Sequence, residues 1–373
     1  MKVLEKTKAI TNGGIEAFLF NTTSFISGVD ITYHTDFLKN DNNYKSFANE
    51  MGREVIVPDS KVSQIKFKPL RILKKFLSFS DFCKKNDYDI VHFHLTRPYD
   101  VMYSLCVKKD TYVIFHSHFA NRRDYRLSEK ITECLFKFIM RIKGDVFIAC
   151  SDSAAEWMFP KRIVKNKHYT IVKNGIEADK FLFNPYVRDK IRKELNIDDK
   201  FVIGHIGRFS YAKNHSFLID IFNEIYKKNV NSVLLLVGDG ELNSEIRERV
   251  KSYNLSDNVI FYGTTGKVNE LYQAMDCFVF PSHFEGLGIA AIEAQAAGLN
   301  TLCADTVPVD AKITDLFNYI SLHEPAKNWA DKVLRYSGGY ERKDMSEEIK
   351  AAGYDIKQSA KQLEEIYLEC SDK

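Results

Sequence analysis

Two doubly wound α/β domains are predicted for this 373-residue chain, and three observations predict them. Short β-branched and aromatic runs alternate with helical patterns along the whole length, the signature of repeated strand–helix–strand units. Several runs are apolar at every position, as strands buried on both faces of a parallel sheet are. The length suits two hydrophobic cores better than one.

The elements follow in order. In the first half the expected strands are DITYHTDF (30–37), DIVHFH (89–94), TYVIFHSH (111–118) and DVFIACS (145–151). In the second half they are FVIGHIG (201–207), SVLLLVG (232–238), NVIFYG (258–263), CFVFPS (277–282) and NTLCA (300–304). Helical periodicity fills 216–229, 242–253 and 268–275 between them. The alternation pauses at KNGIEADKFLFNPYVRDKI, which places a boundary near 184 between domains 1–184 and 185–354. A last segment, 355–373, carries an amphipathic helix from Asp355 to about Cys370, with Ile356, Ala360, Leu363, Ile366 and Tyr367 on its apolar face.

Composition is that of a soluble globular protein, 45% hydrophobic and 28% charged. No apolar run approaches the ~18 residues that span a bilayer. The N-terminal MKVLEKTKAITNGG lacks the apolar core of a secretory signal, so a cytoplasmic location is expected. Seven cysteines, at 83, 106, 134, 150, 277, 303 and 370, form no C-x-x-C pair, which predicts free thiols and no metal or disulfide framework. The net charge of +3 hides an asymmetry. Residues 1–184 hold 30 Lys and Arg against 21 Asp and Glu, and the remainder holds 23 against 29. A basic first half and an acidic second half are expected to meet different partners.

Two loops look built for phosphate. In NGGIEAF (12–18) paired glycines precede a helix start, where backbone N–H groups and the helix dipole favour an anion. In GHIGRFSYAKNH (204–215) Arg208 and Lys213 follow the carboxyl end of a strand, where α/β folds bind ligands. VGDGELN (237–243) lacks the third glycine of a dinucleotide fingerprint, and no Walker lysine is present. DYD (87–89) reads as the entry to the strand IVHFH, and no nearby histidine or acid cluster shows metal-ligand spacing.

The stretch FEGLGIAAIEAQAAG (284–298) carries an acid, Glu293, on an otherwise apolar helix whose neighbours are Ile289, Ala290, Ala296 and Ala297. Glu285 stands before that helix, with seven residues between the two acids. A stray core glutamate would be desolvated without partners at a cost of several kcal/mol, so a ligand is the better explanation.

Together these motifs resemble retaining, nucleotide-sugar-dependent glycosyltransferases of family four, and within them the bacterial exopolysaccharide and capsule subgroup. The similarity runs through NGGIE, HSH (116–118), KNGIEADKF (173–181), GRFSYAKNH (207–215), LLLVGDGEL (234–242) and PSHFEGLGIAAIEAQAAG (281–298). It implies the GT-B fold, two Rossmann-like domains facing a cleft, with the last helix returning to the first domain. It implies that Glu293 accepts hydrogen bonds from the ribose, that Glu285 faces the donor sugar, and that the backbone around Leu287 and Gly288 binds the distal phosphate. Arg208 and Lys213 match the diphosphate clamp, and Gly14 matches the glycine loop that approaches the same diphosphate. His116 matches a histidine that contacts the donor sugar, and His118 is a weaker candidate. The implied catalytic set is Glu285, His116, Arg208 and Lys213.

The resemblance further implies a nucleotide-sugar donor, UDP-linked by subgroup, no resident cofactor and no metal. A lipid-linked glycan acceptor at the inner face of the plasma membrane is expected, and no nucleic acid. The stretch 121–145 adds cations, among them those at 122, 123, 126, 130, 137 and 141, to Leu135, Phe136, Phe138, Ile139 and Ile142, and 70–85 repeats the mixture, which suits an anionic membrane surface. The two domains are expected to close around the donor.

Three features depart from the family, one of them Gly288, where the family often carries proline. The first strand, apolar there, reads MKVLEKTKAI here, with Glu5, Lys6 and Lys8, and is expected to be weakened. Ser117 stands where the family carries an acid, so front-face substitution and double displacement both stay open. A non-catalytic partner subunit and a nucleotide-sugar 2-epimerase are the alternatives. The polar first strand is the only support for the former, and the Arg208/Lys213 loop with the glutamate pair opposes the latter.

Overall fold

The structure is a computed structural model that describes residues 1–10, 14–38, 43–58, 62, 65–118 and 127–371. It divides into two compact units, Met1–Gly175 with Ile356–Lys373, and Ile176–Asp355. The division falls ahead of the expected boundary at 184, because Ala178 and Phe181 already belong to the second core. The last helix, Ile356–Ser371, belongs to the first unit and buries Ala360, Leu363 and Tyr367 in its core.

The first unit is a seven-stranded parallel sheet ordered β3-β2-β1-β4-β5-β6-β7. Its strands are β1 (Lys2–Thr7), β2 (Asp30–Thr35), β3 (Val55–Ile56), β4 (Ile90–Leu95), β5 (Tyr112–Ser117), β6 (Val146–Ala149) and β7 (Thr170–Ile171). Two hydrophobic clusters pack its opposite faces, as helices on both sides of a sheet require. The expectation of a weak first strand is overturned. β1 is a full strand beside β2 and β4, with Glu5 wholly buried and Lys6 nearly so. Partners make this possible: Lys6 Nζ lies 2.5 Å from Asp36 Oδ1, and Glu5 sits among histidines described below. A buried charge is tolerated where it is paired and hydrogen-bonded.

The second unit is a six-stranded parallel sheet ordered β10-β9-β8-β11-β12-β13 around one core. Its strands are β8 (Phe201–Ile206), β9 (Ser232–Val237), β10 (Val259–Gly263), β11 (Cys277–Phe280), β12 (Thr301–Ala304) and β13 (Phe317–Ile320). β9, apolar from Val233 to Val237, is buried at every position. Helices His215–Lys228, Asn243–Ser252 and Val268–Ala274 occupy the three segments of helical periodicity. The seven cysteines are all free, and among the described residues no helix is long and apolar enough to cross a membrane.

Candidate active site

In the second sheet the strand order reverses between β8 and β11, so the loops that leave their carboxyl ends diverge and open a crevice. Both sequence-predicted loops of that unit start there. After β8 the chain passes through Arg208 into the short 3-10 turn Tyr211–Lys213, and Asn214, at φ 53°, redirects it into the next helix. Gly238, in the turn after β9, has φ 134°, and a Cβ there would meet the Gly207 carbonyl oxygen at 2.2 Å. Glycine in VGDGEL therefore lets two turns touch.

Three contacts tie the β8 loop to the β11 loop. The His283 N–H donates to the Ala212 carbonyl at 2.8 Å, and the Asn214 side-chain amide donates to the Pro281 carbonyl at 3.0 Å. Tyr211 stacks on His283 with ring centroids 4.6 Å apart. This clamp brings Lys213 to Glu285: the ammonium lies 2.7 and 2.9 Å from the two carboxylate oxygens, and 4.6 Å from the Phe280 ring centroid. Both side chains are largely shielded, 19% and 9% exposed, so the pair is stronger than an ordinary surface ion pair. Arg208 differs. It points into solvent and meets Glu241 at 3.1 Å, a pair worth little that an incoming anion can displace.

The helix Ile289–Ala296 begins directly after Gly288, whose φ of 91° suits glycine and turns the chain sharply into the helix. Leu287 is buried beneath this turn. One turn further on, Glu293 faces Tyr272 from the helix Val268–Ala274, whose hydroxyl lies 2.9 Å from its Oε2 and 2.9 Å from the Ala290 carbonyl. Although part of the residue's surface is open, its carboxyl is desolvated. Burial pushes its pKa up to about 7, against the opposing pull of the Tyr272 hydrogen bond and the Lys213 charge. Burial and the neighbouring Glu293 carboxyl hold the Tyr272 phenol well above its ordinary pKa, so it remains a donor. Tyr272 is the site residue that sequence reading missed. Its separation of 21 residues from Glu293 leaves no periodic signal.

The remaining candidates lie in the first unit. Gly14 opens the helix Gly14–Thr23 at an exposed position, while Thr11, Asn12 and Gly13 of the glycine loop lie outside the described residues. His116 lies within β5 and is fully buried, and His118 follows the strand with 3% exposure. The alternation of side chains along β4 and β5 puts His92, His94, His116 and His118 on one face. The register pairs Glu5 with His92 and His94 with His116. Glu5 Oε2 accepts from His94 Nε2 at 2.7 Å and lies 3.1 Å from His92 Nδ1, and Tyr367 donates to Oε1 at 2.5 Å.

The reading that no histidine cluster exists near DYD is thereby corrected. Nitrogens of His92, His94 and His116 lie within 4.8 Å of one another, because strand pairing joins residues that are distant in the chain. The spacing H-x-H in two neighbouring strands was the signal that could have revealed it. Burial alone would raise the Glu5 pKa, but its interactions with His92 and His94, hydrogen bonds among them, outweigh it and hold the carboxylate ionised. Burial also lowers the pKa of His94 to about 4 and keeps His116 and His118 neutral.

A parallel sheet whose switch point gathers a lysine, two glutamates and a helix start, joined to a second doubly wound sheet, is the architecture of GT-B glycosyltransferases. The family described as "Glycosyltransferase Family 4" matches residues 27–180, and "Glycosyl transferases group 1" matches 187–353. The putative glycosyltransferase EpsF of Bacillus subtilis is 30% identical over 260 residues, covering 68% of this chain and 67% of that protein. The UDP-Gal:alpha-D-GlcNAc-diphosphoundecaprenol alpha-1,3-galactosyltransferase of Escherichia coli is 25% identical over 62% of this chain and 61% of its own. The crystal structure of Anabaena HepE in complex with UDP-glucose shares the fold, with a TM-score of 0.76 over 99% of this chain and 100% of that one, at 16% identity. The chain belongs to glycosyltransferase family four.

Proposed function

We propose that the chain transfers a sugar from a UDP-sugar, with retention and without a metal ion, to a lipid-diphosphate-linked glycan acceptor. The carrying observation is the shielded Lys213–Glu285 pair at the switch point of the second sheet, close to Glu293 and to the start of its helix. A donor diphosphate competes for Lys213 and frees Glu285 to receive sugar hydroxyls, and Arg208 leaves its exposed partner as readily. Negative charge grows on the leaving diphosphate, and cations held in place stabilise it more in the transition state than in the ground state. Glu293 has spare acceptor capacity for ribose hydroxyls. UDP is favoured because the HepE structure holds UDP-glucose, and a lipid-linked acceptor because the E. coli relative is named for one. The alternative of a non-catalytic subunit loses its basis, since β1 is a well-paired strand.

The acceptor side is read as a membrane-facing surface. Helices Lys68–Lys85 and Leu127–Lys143 both pack on the segment Pro98–Cys106, yet Leu73, Leu77, Leu105, Leu135, Phe138 and Ile142 stay exposed. Exposed Lys74, Lys84 and Arg141 accompany them, the mixture that binds anionic lipid at the cytoplasmic leaflet. Arg122, Arg123 and Arg126, part of the same expectation, lie outside the described residues.

The test is a screen of nucleotide sugars with the purified chain and a lipid extract, products read by mass spectrometry, in the presence of EDTA. A sugar added to a lipid diphosphate, with UDP released, is expected. Turnover that stops in EDTA and returns with Mn²⁺ would sink the metal-free part. Binding of UDP without transfer from any donor would sink the enzymatic part.

A further inference from the structure

We propose that Glu5 is a positioning residue: through His92 it sets the tautomer of His116, leaving His116 Nε2 as a lone-pair acceptor for a sugar hydroxyl. The role in transfer rests on the function proposed above, but the tautomer assignment does not.

The assignment follows from counting hydrogens. Tyr367 donates its only hydroxyl hydrogen to Glu5 Oε1. His92 Nδ1, 2.6 Å from that hydroxyl oxygen and 3.1 Å from Glu5 Oε2, then faces two acceptors and must carry a proton itself. With one proton, His92 keeps a lone pair on Nε2. His116 Nδ1, 3.2 Å away in a ring only 1° from parallel, must donate to it. His116 Nε2 is left unprotonated, buried, and without a hydrogen-bond partner among the described residues.

A parallel relay runs beside it. Glu5 accepts from His94 Nε2, and His94 Nδ1 accepts from His118 Nε2 at 2.7 Å. His118 Nδ1 is again a lone pair, buried and without a hydrogen-bond partner among the described residues. Both relays start at Glu5 and end on an unpartnered ring nitrogen, and in His116 that nitrogen is Nε2. Phe18 packs edge-on against His116 at 5.4 Å, holding the ring in place. A buried acceptor with no partner is costly, and a ligand hydroxyl removes that cost. The preference for neutral His116 and ionised Glu5 agrees with this arrangement.

The experiment labels histidine with ¹⁵N in the full chain and reads long-range ¹H–¹⁵N correlations, which report directly on which ring nitrogen is protonated. The expected wild-type pattern has protons on His92 Nδ1 and His116 Nδ1 and a pyridine-type His116 Nε2. In Glu5→Gln, whose amide can donate, the His92–His116 pair should reverse. Turnover of a panel of UDP-glucose, UDP-galactose and UDP-N-acetylglucosamine should fall about 10- to 100-fold in kcat with KM little changed. Glu5→Asp should keep the tautomers and most of kcat. A protonated His116 Nε2 in the wild type, or one Zn²⁺ bound per chain by the histidines, overturns the relay without any variant. Reversed tautomers with unchanged kcat overturn the positioning role. A wild-type chain that turns over no donor counts against the transferase reading, and the tautomer pattern is still read.

Discussion

Glu5 and Glu293 are both glutamates with desolvated carboxyls, yet they end in opposite states. Burial is the largest influence on each and favours the neutral acid. Glu5 meets His92, His94 and Tyr367, and stays ionised. Glu293 meets one donor, Tyr272, and its pKa climbs to about 7. The electrostatic and hydrogen-bonding partners, not the depth, decide the sign. In the first unit the fold itself completes the buried charges, as it does again for Lys6 and Asp36. In the second unit Lys213 and Glu285 pair with each other, while Glu293 has Tyr272 as its side-chain donor.

The largest effect should come from breaking a completed pair. Asp36→Ala strands the Lys6 ammonium, which is 3% exposed, and should cost ~3–5 kcal/mol in a urea unfolding curve. An unchanged midpoint would show that the pair contributes nothing to folding. Next come the groups proposed to meet the donor. Lys213→Ala and Glu293→Gln should each lower kcat/KM by ~10²-fold or more while the melting temperature changes little. Near-normal turnover by both would remove the site.

The pH response should be smaller and more diagnostic. Folding raises the Glu293 pKa from 4.5 to about 7, so the folded chain holds a proton that the unfolded chain loses first. This group's contribution is therefore most favourable below 4.5 and declines as pH rises through the window up to about 7. Ribose hydroxyls need the ionised form, so UDP-glucose should bind about 10-fold more tightly at pH 8 than at pH 6, with proton release. Calorimetry in buffers of different ionisation enthalpy measures both, and a flat affinity with no proton release would contradict the comparison. The smallest effect is expected at the lipid surface. Lys74→Glu with Arg141→Glu should weaken co-sedimentation with anionic vesicles by ~1 kcal/mol for each charge. Equal binding to neutral vesicles would refute the electrostatic part.

Much of the second site was legible in the sequence. Strand β8 and its basic loop, the glycine-led helix start at Gly288 and the spacing of Glu285 and Glu293 are all local, and local pattern is what a sequence displays. What escaped was pairing at a distance. Glu5 looked like a flaw in β1 because its partners come from β4 and the last helix, 87 residues onward at His92 and 362 at Tyr367. The histidines of HFH and HSH looked like separate strand residues until the register of β4 and β5 joined them.

The alternation of apolar strands with amphipathic helices, the switch-point loops and the acid pair are determined by the sequence alone. Each depends on periodicity or short-range chemistry that any fold of this class must keep. Which charges are satisfied was decided only by the tertiary structure. Whether a buried carboxylate finds one donor or three depends on strand order, register and the return of the last helix. Those place side chains from remote parts of the chain within hydrogen-bonding distance, where several partners together outweigh the cost of burial.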